Sequence, residues 1–222
     1  MENVCMLPIG TTLHHNRYRI DKHLGSGGFG NTYMVTDLTT GESLVMKEFF
    51  MAGINSRQGM KVCVEIEKNK EQFQTMLGKF HQEALRLQHI YNSHIVHVHD
   101  VFEENATAYY TMDFLQGFSL SDCMKCTGHP FEEDMARRIL VQVLDALQAV
   151  HGQAEPLLHL DIKPSNIMFD SKDQNAYLID FGAGKQIERP ADEKAARSTA
   201  LYYNLGYTPL EQLEQDRECM GP

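Results

Sequence analysis

Alternating apolar and polar positions predict three consecutive strands in the first fifty residues of the chain. The alternation covers residues 18–24, 31–37 and 43–50, and apolar residues at every second position are typical of strands with one buried face. A glycine cluster at 25–30 separates the first two strands, and residues 39–42 predict a turn between the second and the third. Three antiparallel strands joined in chain order are the simplest arrangement.

Beyond these strands, the apolar period changes to that of a helix. Apolar residues at three- and four-residue spacings predict helices over 69–90 and 132–150. The second helix begins with acidic residues, which are favourable at the positive end of the helix dipole, and Gly152 follows its end. Its apolar stripe is predicted to lie in the core and consists of Ile139, Leu140, Val143, Leu144, Leu147 and Val150.

Shorter strand-like runs lie between and after the two helices. They cover residues 96–102, 108–114, 159–160, 167–169 and 177–179. The chain thus starts with a run of strands, and its two predicted helices follow that run. This order of elements predicts a fold of the α+β class.

The composition argues against several classes of protein. Thirty acidic residues against twenty Lys and Arg residues give a formal charge of −10, which disfavours nucleic acid or an anionic membrane as a partner. No run approaches the ~20 consecutive apolar residues that span a bilayer, and the first residues lack a signal-peptide pattern. Five scattered cysteines, an odd number, are typical of a reduced chain. We therefore expect a cytoplasmic chain with no membrane segment within it; the alternative is a longer parent protein with a membrane tether beyond residue 222.

The glycine cluster has the pattern G-x-G-x-x-G at Gly25, Gly27 and Gly30. A dinucleotide fingerprint would open a helix after the glycines, whereas residues 31–37 continue as a strand. The phosphate-binding P-loop is also excluded, because Gly30 is followed by Asn-Thr and not by Lys-Ser/Thr. Two interpretations remain: a glycine hairpin whose bare backbone approaches phosphates, or an ordinary flexible turn.

Lys47 lies on the third predicted strand and shares a face with Val45, because side chains alternate along a strand. A lysine that faces inward needs a partner or a phosphate. Glu83 is the candidate partner, since its helical neighbours mark an inward face. Taken alone, these two residues are better explained as an exposed lysine and an exposed glutamate.

A second set of polar residues is concentrated near the end of the chain. The motif His159-Leu160-Asp161-Ile162-Lys163-Pro164-Ser165-Asn166 is followed by Asp180-Phe181-Gly182. Phosphoryl transfer needs a group that orients the attacking hydroxyl, oxygen ligands for a metal, and a cation near the transferred group. Asp161 meets the first need, Asn166 with Asp180 the second, and Lys163 the third.

The order of these motifs resembles that of the eukaryotic-like, or Hanks-type, protein kinase family. A glycine loop, a strand lysine, a helix glutamate, H-x-D-x-K-x-x-N and D-F-G follow one another with workable spacings, and the resemblance runs from about residue 18 to 211. Thr32, the run 47–50 and the segment 209–212 make the chain look like a bacterial serine/threonine kinase.

The resemblance implies a two-lobe protein-kinase-like fold and a set of functional residues. Residues 1–17 would be an N-terminal extension, 18–115 the N-lobe with the hinge, and 116–222 the C-lobe. The residues implied in ATP binding are Gly25, Ser26, Gly27, Gly28, Phe29, Gly30, Val45, Lys47, Met112, Asp113 and Leu115. Those implied in catalysis are Asp161, Lys163, Lys47 and Glu83, and those implied in Mg²⁺ binding are Asn166 and Asp180.

The chain also departs from the family pattern. Leu160 replaces the arginine that usually holds a phosphate on the activation loop. The family continues into several further helices after the segment that ends at Glu211, whereas this chain stops at Pro222. We therefore expect a C-terminally truncated second lobe, with apolar surface of the helix 132–150 and of the catalytic loop left exposed.

The sequence thus predicts an ATP-dependent, Mg²⁺-requiring protein kinase that transfers the γ-phosphoryl group to Ser/Thr hydroxyls of a protein substrate. The alternative is a nucleotide-binding pseudokinase or scaffold, or an inactive fragment. A kinase of small molecules fits less well, because Lys163-Pro164-Ser165-Asn166 matches protein kinases better.

Overall fold

A computed structural model describes residues 5–28, 30–181 and 206–207 of the chain. The chain divides into two compact units, Met1–Gln116 and Gly117–Pro222. The first unit contains a six-stranded and a two-stranded sheet, and the second contains a three-stranded sheet.

The first unit is an antiparallel sheet with one long helix. Its elements are β1 (Thr12–Leu13), β2 (Tyr18–Gly27), β3 (Gly30–Asp37), β4 (Ser43–Phe49), β5 (Ser56–Gln58), β6 (Lys61–Cys63), α1 (Glu67–Gln88), β7 (Val98–Glu104) and β8 (Thr107–Asp113). Six of the strands form one sheet in the order β1-β2-β3-β4-β8-β7, and β5 pairs with β6 alone. The three strands predicted before residue 50 are confirmed, and β2 extends through the first two glycines of the motif.

The central strand β4 of the six-stranded sheet is mostly buried on both faces. Helix α1 covers one face, where Phe49 of β4 contacts the rings of Phe73 and Phe80 at centroid distances of 5.3 and 5.4 Å. The opposite face carries a cluster of buried apolar residues that includes Leu7 and Leu13 from the N-terminal segment. The segment predicted as an extension therefore contributes to the core of the unit.

A charged pair is buried on the same face as this cluster. Glu48 of β4 is fully buried and lies 2.7 Å from Arg57 of β5, whose side chain is only 3% exposed. The Glu48 carboxylate also accepts hydrogen bonds from Asn31, Tyr33 and Tyr109, at 2.9, 2.7 and 2.9 Å. Burial alone would lower the pKa of Arg57, but the hydrogen bond and charge of Glu48 outweigh it and raise that pKa.

The sequence did not predict this pair, nor the hairpin that supplies Arg57. Residues 56–63 contain only short apolar stretches, yet Val62 of β6 is buried and its backbone N–H donates to the carbonyl of Asn105 at 2.8 Å. The hairpin is held by tertiary contacts that the local pattern does not reveal.

The second unit consists of a small sheet and two helices. Its elements are β9 (Gly117–Ser119), α2 (Leu120–Thr127), α3 (Glu133–His151), a single 3-10 turn (Pro164–Asn166), β10 (Ile167–Asp170) and β11 (Ala176–Leu178). The strands form an antiparallel sheet in the order β11-β10-β9. The helix predicted over 132–150 is confirmed, whereas residues 159–160 form no strand.

The apolar stripe of α3 is only partly buried. Ile139, Val143 and Val150 are buried as predicted, but Leu140 and Leu144 are 57% and 54% exposed. The prediction that these two residues lie in the core is therefore wrong. A helical period shows which residues share a face, but a second element must cover that face before the residues are buried. The exposed apolar surface that we expected on this helix is present.

The α-helices within the described residues are α1, α2 and α3. Within the described ranges, none of them combines the length and the apolar character that a bilayer crossing requires. The predicted α+β class, with a curled antiparallel sheet in the first unit and helices in the second, is confirmed.

We predict that Gly117→Ala destabilises the second unit by roughly 3 kcal/mol or more. A Cβ atom at Gly117 would lie 1.8 Å from the carbonyl oxygen of Phe169, in the partner strand β10. Chemical denaturation measures the change. Gly78→Ala is the matched control, because a Cβ there meets nothing within 4 Å and alanine stabilises a helix interior by about 1 kcal/mol. Equal stability of the Gly117→Ala variant and the wild type would contradict the close packing of β9 on β10.

We also predict that Arg57→Met lowers the free energy of unfolding by about 3–5 kcal/mol, because it leaves the Glu48 charge buried without its cation. The matched control is Arg137→Met, since Arg137 and its partner Glu133 are 70% and 82% exposed and exposed pairs contribute ~0–1 kcal/mol. Urea titration of both variants checks the difference. If both variants lost similar unfolding free energy, the buried Glu48–Arg57 pair would contribute no more to stability than the exposed pair does.

Candidate active site

The glycine motif forms the end of the hairpin between β2 and β3, where Gly27 pairs with Gly30. A Cβ atom at Gly25 would meet nothing within 4 Å, and one at Gly27 would meet only the Gly30 carbonyl at 3.9 Å. A Cβ at Gly30, in contrast, would lie 2.6 Å from the carbonyl oxygen of Glu48. Packing therefore requires the third glycine, whereas the first two leave space beside the backbone. Phe29 lies outside the described residues.

Lys47 and Glu83 are close enough within the first unit for their charges to interact. Glu83 lies on the inward face of α1 and is buried. Burial lowers the pKa of Lys47 to about 8, and the negative charge of Glu83 opposes that shift. A lysine with this pKa is mostly protonated at pH 7, so it presents a cation on the α1 face of the sheet.

The candidate adenine-binding residues Val45 and Met112 are cross-strand partners in β4 and β8. Both are buried, and strand alternation places them on the same face as Lys47. Tyr110, the cross-strand partner of Lys47, was not predicted as a site residue. Burial, and then the charge of Glu83, raise its pKa above the usual range of tyrosine. Its buried position next to Lys47 could have been found only from the pairing of β4 with β8.

Asp113 is the last residue of β8. Its backbone and its carboxylate contact His97, which immediately precedes β7, and His99 in β7. Its N–H donates to the carbonyl of His97 at 3.1 Å, and its carboxylate accepts from the N–H of His97 at 3.3 Å. The ring of His99 lies 2.7 Å from the other carboxylate oxygen. These contacts fix the chain just before Leu115, the last of the candidate nucleotide-binding residues.

In the second unit, three of the candidate residues meet around one carboxylate. The Lys163 ammonium lies 2.7 Å from Oδ2 of Asp161. The Asn166 side-chain amide donates to the same oxygen at 3.1 Å and to the Asp161 backbone carbonyl at 2.8 Å. The 3-10 turn that begins at Pro164 closes the loop so that these groups converge. The Asp161 side chain is therefore held in one orientation by a cation and an amide.

His159 positions this loop, a role that we did not assign from the sequence. Its ring is buried, with Nε2 2.9 Å from the Ile179 carbonyl and Nδ1 accepting from the Asp161 N–H at 3.3 Å. The ring of Phe181 packs on it at 4.6 Å. A neutral imidazole with its proton on Nε2 satisfies both contacts. The H-x-D motif contains this histidine, but its contacts with Ile179 and Phe181 can be seen only in the folded chain.

Strand pairing brings the two candidate metal ligands to neighbouring positions. The N–H of Ile179 donates to the carbonyl of Asn166 at 2.9 Å, and Asp180 follows immediately. Asp180 and Leu160 have φ angles of +59° and +57°, in the left-handed region that aspartate tolerates better than leucine. Each motif therefore contains one residue in the left-handed backbone conformation.

The candidate residues thus form two groups, one in each unit. The glycine hairpin, Lys47, Glu83 and the adenine-pocket candidates belong to the first, and Asp161, Lys163, Asn166 and Asp180 belong to the second. Gly182 and Glu211 lie outside the described residues.

The family model and the sequence relatives that match this chain are all protein kinases. Residues 18–217 match the family model described as Protein kinase domain. The chain is similar to the serine/threonine-protein kinase PknA of Nostoc sp., with 30% identity over 201 residues, which are 89% of this chain and 33% of PknA. It is also similar to the probable serine/threonine-protein kinase YbdM of Bacillus subtilis, with 30% identity over 202 residues, covering 90% of this chain and 70% of YbdM.

Solved structures agree with the sequence relatives. The apo form of PpkA-294 superposes with a TM-score of 0.79 and 28% identity, over 94% of this chain and 71% of that one. The chain spans about a third of the length of the Nostoc relative. The predicted resemblance to bacterial members is confirmed by these relatives. Members of this family generally use ATP and a divalent metal. From the match over residues 18–217 and from these relatives, we conclude that the chain belongs to the protein kinase family.

Proposed function

We propose that this chain is an ATP-dependent protein kinase domain that transfers the γ-phosphoryl group to Ser/Thr hydroxyls of a protein substrate. The observation that carries the proposal is the convergence of Lys163 and Asn166 on the Asp161 carboxylate, at 2.7 and 3.1 Å. Phosphoryl transfer requires this type of oriented carboxylate next to a cation. Family membership supplies the reaction class.

In this proposal, Asp161 orients the substrate hydroxyl and accepts its proton. The hydroxyl oxygen forms a bond to the γ-phosphorus, the bond from that phosphorus to the bridging oxygen breaks, and ADP leaves. Lys163 carries a positive charge beside the Asp161 carboxylate, where it can stabilise the charge of the transferred group. No covalent enzyme intermediate is required, because positioning and electrostatic stabilisation are sufficient.

The first unit provides the nucleotide-binding groups in this proposal. The open space beside Gly25 and Gly27 lets the phosphates approach the backbone of the hairpin. Lys47 contacts the phosphates, and Glu83 keeps it oriented. Val45 packs against the adenine ring, Met112 closes the back of the adenine pocket, and the backbone of residues 113–115 forms the hydrogen bonds to adenine.

Asn166 and Asp180 are the residues that would hold Mg²⁺. Their side chains fit this metal, which prefers oxygen ligands from one or two residues and retains several waters. The amide nitrogen of Asn166 is committed to Asp161, so its oxygen is the atom that remains for a metal. When bound, the metal neutralises charge on the phosphates.

We predict that the 222-residue chain transfers phosphate from Mg²⁺-ATP to a generic protein such as casein, and that Asp161→Asn lowers the rate by about 10²–10⁴-fold. The variant is nearly isosteric, so its affinity for ATP should be unchanged. Radiolabel transfer and calorimetric ATP binding measure the two quantities. The matched control is Asp134→Asn, because Asp134 is an exposed residue in the first turn of α3.

Two results would contradict the kinase proposal. ATP binding without any transfer by the wild-type chain would favour the nucleotide-binding scaffold. Equal transfer rates for wild type and Asp161→Asn would remove Asp161 from its proposed role.

We further predict that the affinity for Mg²⁺-ATP falls about tenfold between pH 7 and pH 9, because Lys47 loses its proton as the pH passes its pKa of about 8. The sign follows from charge: the protonated amine attracts phosphate, and the neutral amine does not. Lys47→Arg is the control, since a guanidinium stays protonated over this range and its affinity should be independent of pH. Calorimetric titration at several pH values tests this, and parallel curves for both proteins would contradict it.

A further inference from the structure

Asn31 is a buried polar residue directly after the glycine motif, and neither the sequence motifs nor the proposed reaction uses it. Its side chain is fully buried. Its Oδ1 accepts a hydrogen bond from the Ser26 hydroxyl at 2.8 Å. Its Nδ2 donates to the Cys5 carbonyl and to Oε2 of Glu48, both at 2.9 Å. One amide therefore connects the glycine hairpin, the N-terminal segment and strand β4.

The strand register explains how these groups meet. Asn31 is the cross-strand partner of Ser26 in β2 and of Glu48 in β4. Cross-strand partners project to the same face of a sheet, so Ser26, Asn31 and Glu48 form a row of polar side chains across three strands. The row starts between the two open glycines, Gly25 and Gly27, and ends in the interior of the unit.

The interior end of the row is firmly held. Glu48 is fixed by Arg57 at 2.7 Å and by the hydroxyls of Tyr33 and Tyr109. The Ser26 end is exposed and lies in a glycine-rich segment, which has high conformational freedom when nothing restrains it. The hydrogen bond from Ser26 to Asn31 therefore adds a side-chain restraint to the backbone pairing of β2 with β3 at the end of the hairpin.

We infer that Asn31 is a positioning residue that holds the glycine hairpin in its nucleotide-binding conformation through the Ser26 hydroxyl. The inference rests on the proposed function, because it assumes that the hairpin binds the phosphates of a nucleotide. A segment that is ordered before binding loses less conformational entropy on binding, so the restraint increases affinity. The Ser26 hydroxyl then acts through Asn31 and not through a direct contact with phosphate.

A double-mutant cycle tests this coupling. Ser26→Ala, Asn31→Ala and the double variant are compared with the wild type for binding of Mg²⁺-AMP-PNP by calorimetry. We expect Ser26→Ala to raise Kd about fivefold, the equivalent of one hydrogen bond. In the Asn31→Ala background, the same change should raise Kd less than about twofold, because the partner is already absent. Ser26→Thr retains the hydroxyl and should bind nearly as tightly as the wild type.

Tyr33→Phe separates positioning from general stability. It removes another hydrogen bond to the same Glu48 oxygen, at 2.7 Å, and the one that the Leu7 N–H donates to the Tyr33 hydroxyl at 3.0 Å, but it leaves the Ser26–Asn31 hydrogen bond in place. We expect it to lower the free energy of unfolding but to leave Kd unchanged. If Asn31→Ala does not fold, Ser26→Ala at its exposed position still provides the comparison with Tyr33→Phe.

Hydrogen exchange without nucleotide gives a readout that is independent of binding. Peptides spanning residues 20–35 should exchange faster in Ser26→Ala than in the wild type and in Ser26→Thr. If the wild type binds no nucleotide, the proposed function fails, and the exchange result still decides whether Asn31 restrains the hairpin.

Three results would overturn the inference. An equal effect of Ser26→Ala in both backgrounds would show that the two residues act independently, as a direct contact of Ser26 with phosphate would. An increase of Kd in Tyr33→Phe as large as that in Ser26→Ala would indicate only a loss of stability. Unchanged exchange in Ser26→Ala would show that its hydroxyl does not restrain the hairpin.

Discussion

Strand β4 places a cation and an anion next to each other in the sequence and on opposite faces of the sheet, where the strand is mostly buried on both sides. Lys47 faces α1, where the charge of Glu83 partly offsets the cost of burial. Glu48 faces the N-terminal segment and is neutralised by Arg57. Since a buried charge without a partner costs several kcal/mol, the helix and the β5–β6 hairpin must both be in place for this strand to be stable. Helix α1 supplies Glu83 and β5 supplies Arg57, so each buried charge of β4 depends on a different neighbouring element.

In the second unit, the main feature is the fixed orientation of the Asp161 carboxylate, which lies on a loop. Loops are less ordered than the elements they connect, yet Asp161 is fixed through its backbone N–H, its backbone carbonyl and its side chain. The buried imidazole of His159 ties the same loop to the backbone at Ile179, next to Asp180. The two motifs are therefore connected by one ring and one strand pair.

The sequence allowed prediction of those features that depend on local pattern or on a long, ordered motif. The principal strands, both long helices and the inward position of Glu83 belong to this group, because alternation and helical period report directly on buried faces. The Glu48–Arg57 pair could not be predicted, since its partners come from segments that no local pattern links. Leu140 and Leu144 were misassigned because a periodic stripe does not show which part of it another element covers. The roles of the site residues rest on the family resemblance and on geometry within each unit.

The glycine motif illustrates a general point about reading function from sequence. Gly25 and Gly27 have open space where a side chain would be, but Gly30 is pressed against the backbone of β4 at Glu48. The three glycines are therefore subject to two different constraints: Gly25 and Gly27 leave room for a ligand, and Gly30 is required by packing. In a related chain that no longer binds a nucleotide, Gly25 and Gly27 could be replaced, whereas packing against β4 would still require Gly30. Retention of Gly30 in a related sequence is thus a sign of the same hairpin, and only the first two glycines bear on whether it still binds phosphate.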